Sequence, residues 1–138
     1  MQKLFIEHTR STPEINFSPA EKIFIIRGNS APEDVRAMYY PVIEWIKIFV
    51  DDFLDGEYPF FTDESPLILN VSLTYFNSSS AKFLFDIFTE LKRLSDAGKP
   101  VEIEWTYEED DIEQKEAGID LSTLVGMNFR FIPKSPEG

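Results

Sequence analysis

The chain contains no cysteine and a single histidine, His8. Disulfides, thiolate metal sites, cysteine nucleophiles and paired-histidine zinc sites are therefore excluded together. The absence of cysteine also agrees with a reducing compartment. Glycine is sparse and scattered: Gly28, Gly56, Gly98, Gly118, Gly126 and Gly138 stand alone. Neither a phosphate-cradling Walker loop nor a dinucleotide-binding glycine fingerprint can be written anywhere. No Gly-x-Ser-x-Gly elbow accompanies His8, which removes the usual hydrolase signature. Positive charge is scarce as well, since 13 Lys and Arg face 25 Asp and Glu, a formal net charge of −12. Such a surface repels nucleic-acid phosphates and anionic lipid headgroups, so neither nucleic acid nor membrane is expected as a partner. No apolar run approaches the roughly 20 residues that cross a bilayer, and the N-terminus lacks a leader pattern. The expected location is the cytoplasm.

What is present is a core. Of 138 residues, 43% are hydrophobic and 14% aromatic, enough for one buried centre. Met1 to His8 and Glu14 to Phe17 read as short strands, and Lys22 to Arg27 as a buried one broken by Gly28. Asn29 or Ser30 is expected to cap a helix that runs to about Leu54, with Pro41 kinking or splitting it. Its apolar positions from Val35 to Phe53 follow the helical period. Asp55 to Pro66 reads as the one long loop, with Phe60 and Phe61 packing back. Leu67 to Phe76 alternates as a strand, with Leu67, Leu69, Val71, Leu73 and Tyr75 on one side. Ser80 to Ala97 reads as an amphipathic helix that stops at Gly98. A strand from Val101 to Tyr107, a helix to about Val125 and a strand from Asn128 to Ile132 complete the pattern. The expected fold is one α/β domain over residues 1–133, a mixed sheet of five or six strands with three helices, followed by a flexible tail at 134–138.

The junction Tyr75-Phe76-Asn77-Ser78-Ser79-Ser80-Ala81-Lys82 concentrates the chemistry. Asn and Ser are preferred helix caps, and the stretch could do nothing more than turn a strand into a helix. Capping needs one side chain, however, which leaves hydroxyls at the positive end of a helix dipole, with Lys82 a turn further on. A phosphoryl group adds about −1.5 to −2 charges, a change large enough to weaken docking of an acidic or apolar partner. Elsewhere the reading is plain. His8 reads as an exposed or half-buried strand residue, Glu108 to Asp111 as a solvated helix start, and Trp45, Trp105 and Tyr107 as packing residues.

The segments Tyr75-Phe76-Asn77-Ser78-Ser79-Ser80, Thr12-Pro13-Glu14-Ile15, Gly28-Asn29-Ser30, Pro32-Glu33, Ile43-Glu44-Trp45-Ile46, Gly98-Lys99-Pro100-Val101 and Trp105-Thr106-Tyr107 share one order. In that order they resemble the SiaC-type biofilm regulatory phosphoproteins, and the serine junction resembles the phosphorylation site of the wider STAS fold. The resemblance implies a STAS-like fold and a non-enzymatic switch needing no cofactor. It implies phosphorylation by a serine/threonine kinase, dephosphorylation by a PP2C-type phosphatase, and a diguanylate cyclase as the target of the unphosphorylated form. By motif position the acceptor is Ser78, with Tyr75, Asn77, Ser79, Ser80 and Lys82 as its neighbours. Ser78 stands where the SiaC pattern more often has threonine, Asn77 where the STAS pattern has aspartate, and Ser80 where it has glycine. Two other classes remain open: an unregulated interaction or scaffold domain, and a carboxylate- or metal-dependent enzyme built on Glu108 to Asp111.

Overall fold

In the computed structural model, residues 1–136 are described. The elements in chain order are β1 (Leu4–Ile6), β2 (Glu14–Ser18), β3 (Ile23–Ser30), α1 (Val35–Leu54), β4 (Leu67–Phe76), α2 (Ser78–Asp96), β5 (Val101–Glu108), α3 (Ile112–Val125) and β6 (Arg130–Lys134). The six strands form one sheet in sequence order. β1, β2 and β3 pair antiparallel, whereas β3 through β6 run parallel. Each parallel crossover advances the sheet by one strand in the same direction, and right-handed crossovers then place α1, α2 and α3 on a single face. This is the mixed α/β sheet with three helices that the strand and helix periods predict.

Alternation sorts the strand residues between the two faces. Leu67, Leu69, Val71 and Leu73 of β4 are buried beneath the helices with Ile15, Phe17, Phe24, Ile26, Ile103 and Trp105. The opposite face is polar and cross-linked: Asn70 Nδ2 donates to Glu104 Oε1 at 3.3 Å and to Thr106 Oγ1 at 3.1 Å. Arg27 pairs there with Glu14 at 3.1 Å. The helix layer contributes Tyr39, Ile46, Phe49, Leu84, Ile87 and Phe88, all at most 1% exposed. Trp45 stacks on Phe49 with ring centroids 5.4 Å apart, a packing role. In the long loop Phe61 is buried, while Phe60 stays 42% exposed against it.

Several local expectations are corrected. Gly28 does not end β3; with φ +112 it carries the strand on to Ser30, a conformation that costs glycine little. Asn29 and Ser30 are therefore strand residues, and the cap of α1 is Asp34, whose carboxylate accepts from Ala37 N at 3.1 Å. Pro41 lies inside α1 without splitting it. Both Pro41 and Ala37 are exposed, so water can satisfy the Ala37 carbonyl that the proline leaves without an amide donor. α2 begins at Ser78, two residues before the expected start. β6 is displaced C-terminally to Arg130–Lys134, and the Lys134 carbonyl accepts from Glu109 N at 2.9 Å. Lys134 thus belongs to the sheet, and the last two residues of the expected tail, 137 and 138, lie outside the described residues.

Candidate functional site at the β4–α2 junction

A single residue, Asn77, separates β4 from α2, and both of its ends are fastened. Its amide donates to the Ser30 carbonyl at 3.0 Å, tying the junction to the neighbouring strand. Its side-chain oxygen accepts from Ser80 N at 2.8 Å, which makes Asn77 the helix cap. Capping, the plain explanation of the serines, therefore falls to the asparagine.

The three serines occupy the first turn of α2 and part company in their surroundings. Ser80 is 0% exposed and belongs to a buried hydroxyl cluster. Ser30 Oγ donates to Ser80 Oγ at 2.8 Å, Ser80 Oγ donates to the Ser30 carbonyl at 2.9 Å, and Tyr39 OH lies 2.6 Å from Ser30 Oγ. Since Ser30 spends its proton on Ser80, the Tyr39 hydroxyl is the donor to Ser30. Burial raises the Tyr39 pKa, and the hydrogen bonds to Ser30 and Ser80 offset part of that rise. Ser78 and Ser79, by contrast, are exposed. Among the described residues their hydroxyls hold no hydrogen bond, and the amides of this first turn sit at the positive end of a 19-residue helix.

Tyr75 does not join the core. Gly28 pairs with Leu73 but Asn29 pairs with Tyr75, so the register skips Thr74 and the alternation changes phase. Tyr75 is consequently 55% exposed, while Phe76 turns inward with its ring centroid 5.8 Å from that of Trp105. Lys82 is exposed, pairs with Asp86 at 3.0 Å and lies 4.8 Å over the Phe83 ring. The structure thus brings Ser78, Ser79 and Lys82 to one surface and assigns Ser80 to the interior.

Sequence reading misses two features here. The first is the Ser30, Tyr39 and Ser80 cluster, for which only the polar residue types hint at a role. The second is a groove between α1 and α2, where Ser79 lines a cavity of about 250 Å³ with Arg36, Tyr40 and Lys82. Of the acidic run Glu108 to Asp111, Asp111 caps α3 by accepting from Gln114 N at 3.0 Å. Among the described residues no group of three or more His, Asp or Glu side chains is placed to hold a metal ion. No helix is long and apolar enough to cross a membrane among the described residues.

Fold and site together define a small α/β domain that presents free hydroxyls at a helix N-terminus beside a groove. A sequence model described as the SiaC family regulatory phosphoprotein matches residues 6–134. The chain belongs to that family. It is 32% identical over 108 residues to an uncharacterized protein of Pseudomonas aeruginosa (strain UCBPP-PA14), covering 78% of each chain. The crystal structure of apo-SiaC from Pseudomonas aeruginosa superposes with a TM-score of 0.78 at 27% identity, over 98% of this chain and 100% of that one. A crystal structure of the diguanylate cyclase SiaD in complex with its activator SiaC, from the same organism, matches with a TM-score of 0.77 at 27% identity, over 96% of this chain and 99% of that one.

Proposed function

We propose that this chain is a non-enzymatic cytoplasmic switch whose unphosphorylated form binds and activates a diguanylate cyclase, and whose phosphorylation at Ser78 releases it. A serine/threonine kinase adds the phosphoryl group and a PP2C-type phosphatase removes it. The observation that carries the reading is the division of labour in the first turn of α2. Asn77 caps, Ser80 is buried, and Ser78 stands exposed with its hydroxyl unused. Family membership and the relative's complex with a cyclase supply the partner class. The helix end favours an added anion by about 0.3 to 1 kcal/mol, so the phosphorylated state does not unfold the site. Two added charges at an exposed surface act on docking, not on the core.

The test uses the purified protein, its candidate kinase and its candidate cyclase. Mass spectrometry after kinase treatment is expected to place phosphate on Ser78, and Ser78→Ala to abolish it. Ser78→Glu is expected to lower cyclase binding while leaving the circular dichroism spectrum unchanged. Phosphate found only at residues other than Ser78, or full cyclase activation by Ser78→Glu, would sink the assignment.

A further inference from the structure

The turn from Asn77 to Ser80 is fastened at both ends to a single atom of β3. The Ser30 carbonyl accepts from Asn77 N at 3.0 Å and from Ser80 Oγ at 2.9 Å. A further bond closes the turn on itself, from Ser80 N to Asn77 Oδ1 at 2.8 Å. Ser78 and Ser79 are therefore spanned by two residues that share one anchor. A first turn is otherwise the part of a helix that frays most readily, because its amides lack partners within the helix.

A second line of bonds reaches the anchor from α1. Tyr39 OH donates to Ser30 Oγ at 2.6 Å, and Ser30 Oγ donates to Ser80 Oγ at 2.8 Å. The Tyr39 ring also stacks on Phe83, about one turn further along α2, with centroids 5.5 Å apart and planes 7° from parallel. Tyr39, Ser30 and Ser80 are all fully buried, so bulk water does not compete for these bonds. Three elements, β3, α1 and α2, thus meet behind the turn that carries the exposed serines.

The clamp sets which way each serine faces. Successive residues of an α-helix are rotated by about 100°, so with Ser80 aimed inward Ser79 points about 100° from that direction and Ser78 about 160°, nearly straight out. The surroundings agree with this phase. Ser79 borders the cavity shared with Arg36, Tyr40 and Lys82, whereas Ser78 is exposed and does not border it. Two neighbouring hydroxyls of the same chemistry are presented in different directions.

We infer that Ser30, Tyr39 and Ser80 are positioning residues that select Ser78 over Ser79 as the phosphoryl acceptor, by holding the first turn of α2 helical while a kinase engages it. In the transfer, Ser78 Oγ bonds to the γ-phosphorus of the kinase's nucleoside triphosphate and the bond from that phosphorus to its bridging oxygen breaks. The nucleoside diphosphate leaves with the electron pair, and the hydroxyl proton passes to a base of the kinase. The outward Ser78 hydroxyl meets this geometry while its neighbour is turned toward α1. Without the clamp the turn frays, and in a mobile segment both hydroxyls reach the kinase alike. Selection presupposes the phosphorylation proposed above and adds the groups that confine it to one serine.

The intact protein is treated with the kinase that serves to place phosphate on Ser78, and the ratio of phosphate on Ser78 to that on Ser79 is read at low conversion by tandem mass spectrometry. The native protein is expected to favour Ser78 by about ten-fold or more. Ser80→Ala, which removes the donor to the Ser30 carbonyl and the acceptor of Ser30 Oγ, is expected to cut that ratio about five-fold. Tyr39→Phe keeps the ring stack and is expected to cut it about two-fold. In both variants kcat at Ser78 is expected to fall with KM little changed, because the outer surface is intact. Hydrogen exchange at the Ser80 amide reads the clamp without a kinase and is expected to quicken about five-fold in Ser80→Ala. Gly118→Ala, a destabilising change on α3, is expected to keep the native ratio.

An unchanged ratio in folded Ser80→Ala and Tyr39→Phe overturns the selection while Ser78 phosphorylation stands. A shift of the same size in Gly118→Ala overturns it too, since any loss of stability would then suffice. Absence of phosphate from Ser78 in the native protein overturns the phosphorylation itself, and the selection with it.

Discussion

Ser30 and Ser80, fifty positions apart, close a reciprocal pair in which each hydroxyl donates to the other residue: Ser30 Oγ to Ser80 Oγ at 2.8 Å, and Ser80 Oγ to the Ser30 carbonyl at 2.9 Å. The pair fixes the first turn of α2 to β3. It also separates two serines that are neighbours in sequence. Ser80→Ala removes the acceptor of the buried Ser30 hydroxyl and is expected to cost about 1 to 3 kcal/mol in urea unfolding. Ser78→Ala and Ser79→Ala, at exposed positions, are expected to stay within about 0.5 kcal/mol of the native protein. Equal losses at Ser78 and Ser80 would contradict the assignment of one to the surface and the other to the core.

Tyr39 gives the same cluster a pH dependence. Its pKa is raised, first by burial, so the folded state holds the phenolic proton more tightly than the unfolded chain does. The linked stability is fully present below the ordinary tyrosine value of about 10 and is lost as pH rises from there toward the folded pKa, with a slope of at most about 1.4 kcal/mol per pH unit. Tyr58 is raised too, by burial and then by Asp52 and Glu57, so a variant is needed to isolate Tyr39. Tyr39→Phe is expected to be less stable at neutral pH but to lose less stability between pH 10 and pH 11, by urea titration. An unchanged alkaline slope would remove Tyr39 from the account.

Gly118 is required by close approach. A Cβ placed there would come within 2.5 Å of the Trp105 indole nitrogen. That nitrogen donates to the Gln114 carbonyl at 3.0 Å, and Gln114 Nε2 donates to the Leu73 carbonyl at 2.7 Å, so α3 is pinned to the sheet through the same few atoms. Gly118→Ala is expected to cost about 1 to 3 kcal/mol and to shift tryptophan fluorescence, because Trp105 is 1% exposed and has no space to yield. Adding Trp105→Phe is expected to make the Gly118→Ala step cheaper than it is alone. A larger loss in the double background would place the clash elsewhere.

How far the sequence exposes this depends on whether the cause is local. The run from Leu67 to Phe76 carries its own alternation, and its bounds as β4 agree with the sequence reading. The amphipathic stripe of α2 from Phe83 to Leu94 is likewise self-contained. Tyr75 is misjudged because its direction depends on a register skip set by the partner strand at Gly28 and Asn29. Asp34 is missed as a cap because β3 runs through Gly28, which a strand propensity does not foresee. Ser78 stands out by motif position, whereas the burial of Ser80 is decided by Ser30 and Tyr39, and the groove by two helices brought side by side.

The long loop between α1 and β4 is tied down by Lys22 as well as by its buried Phe61, so its local opening is separable from global stability. Lys22 Nζ donates to the Phe60 carbonyl at 2.9 Å and to Ser65 Oγ at 2.7 Å. It also lies 5.6 and 5.5 Å from the rings of Phe60 and Phe61. Three kinds of contact thus converge from one exposed side chain on both ends of the loop's aromatic segment. Lys22→Met keeps the aliphatic stem but removes the ammonium, so the loop loses its hydrogen bonds while Phe61, 5% exposed, stays anchored in the core. Unfolding stability is expected to fall by no more than about 1 kcal/mol, whereas limited proteolysis between residues 55 and 66 is expected to quicken several-fold. Lys22→Arg, which retains the charge, is expected to cleave nearly as slowly as the native chain. Cleavage of Lys22→Met at the native rate would show that the aromatic contacts alone hold the loop.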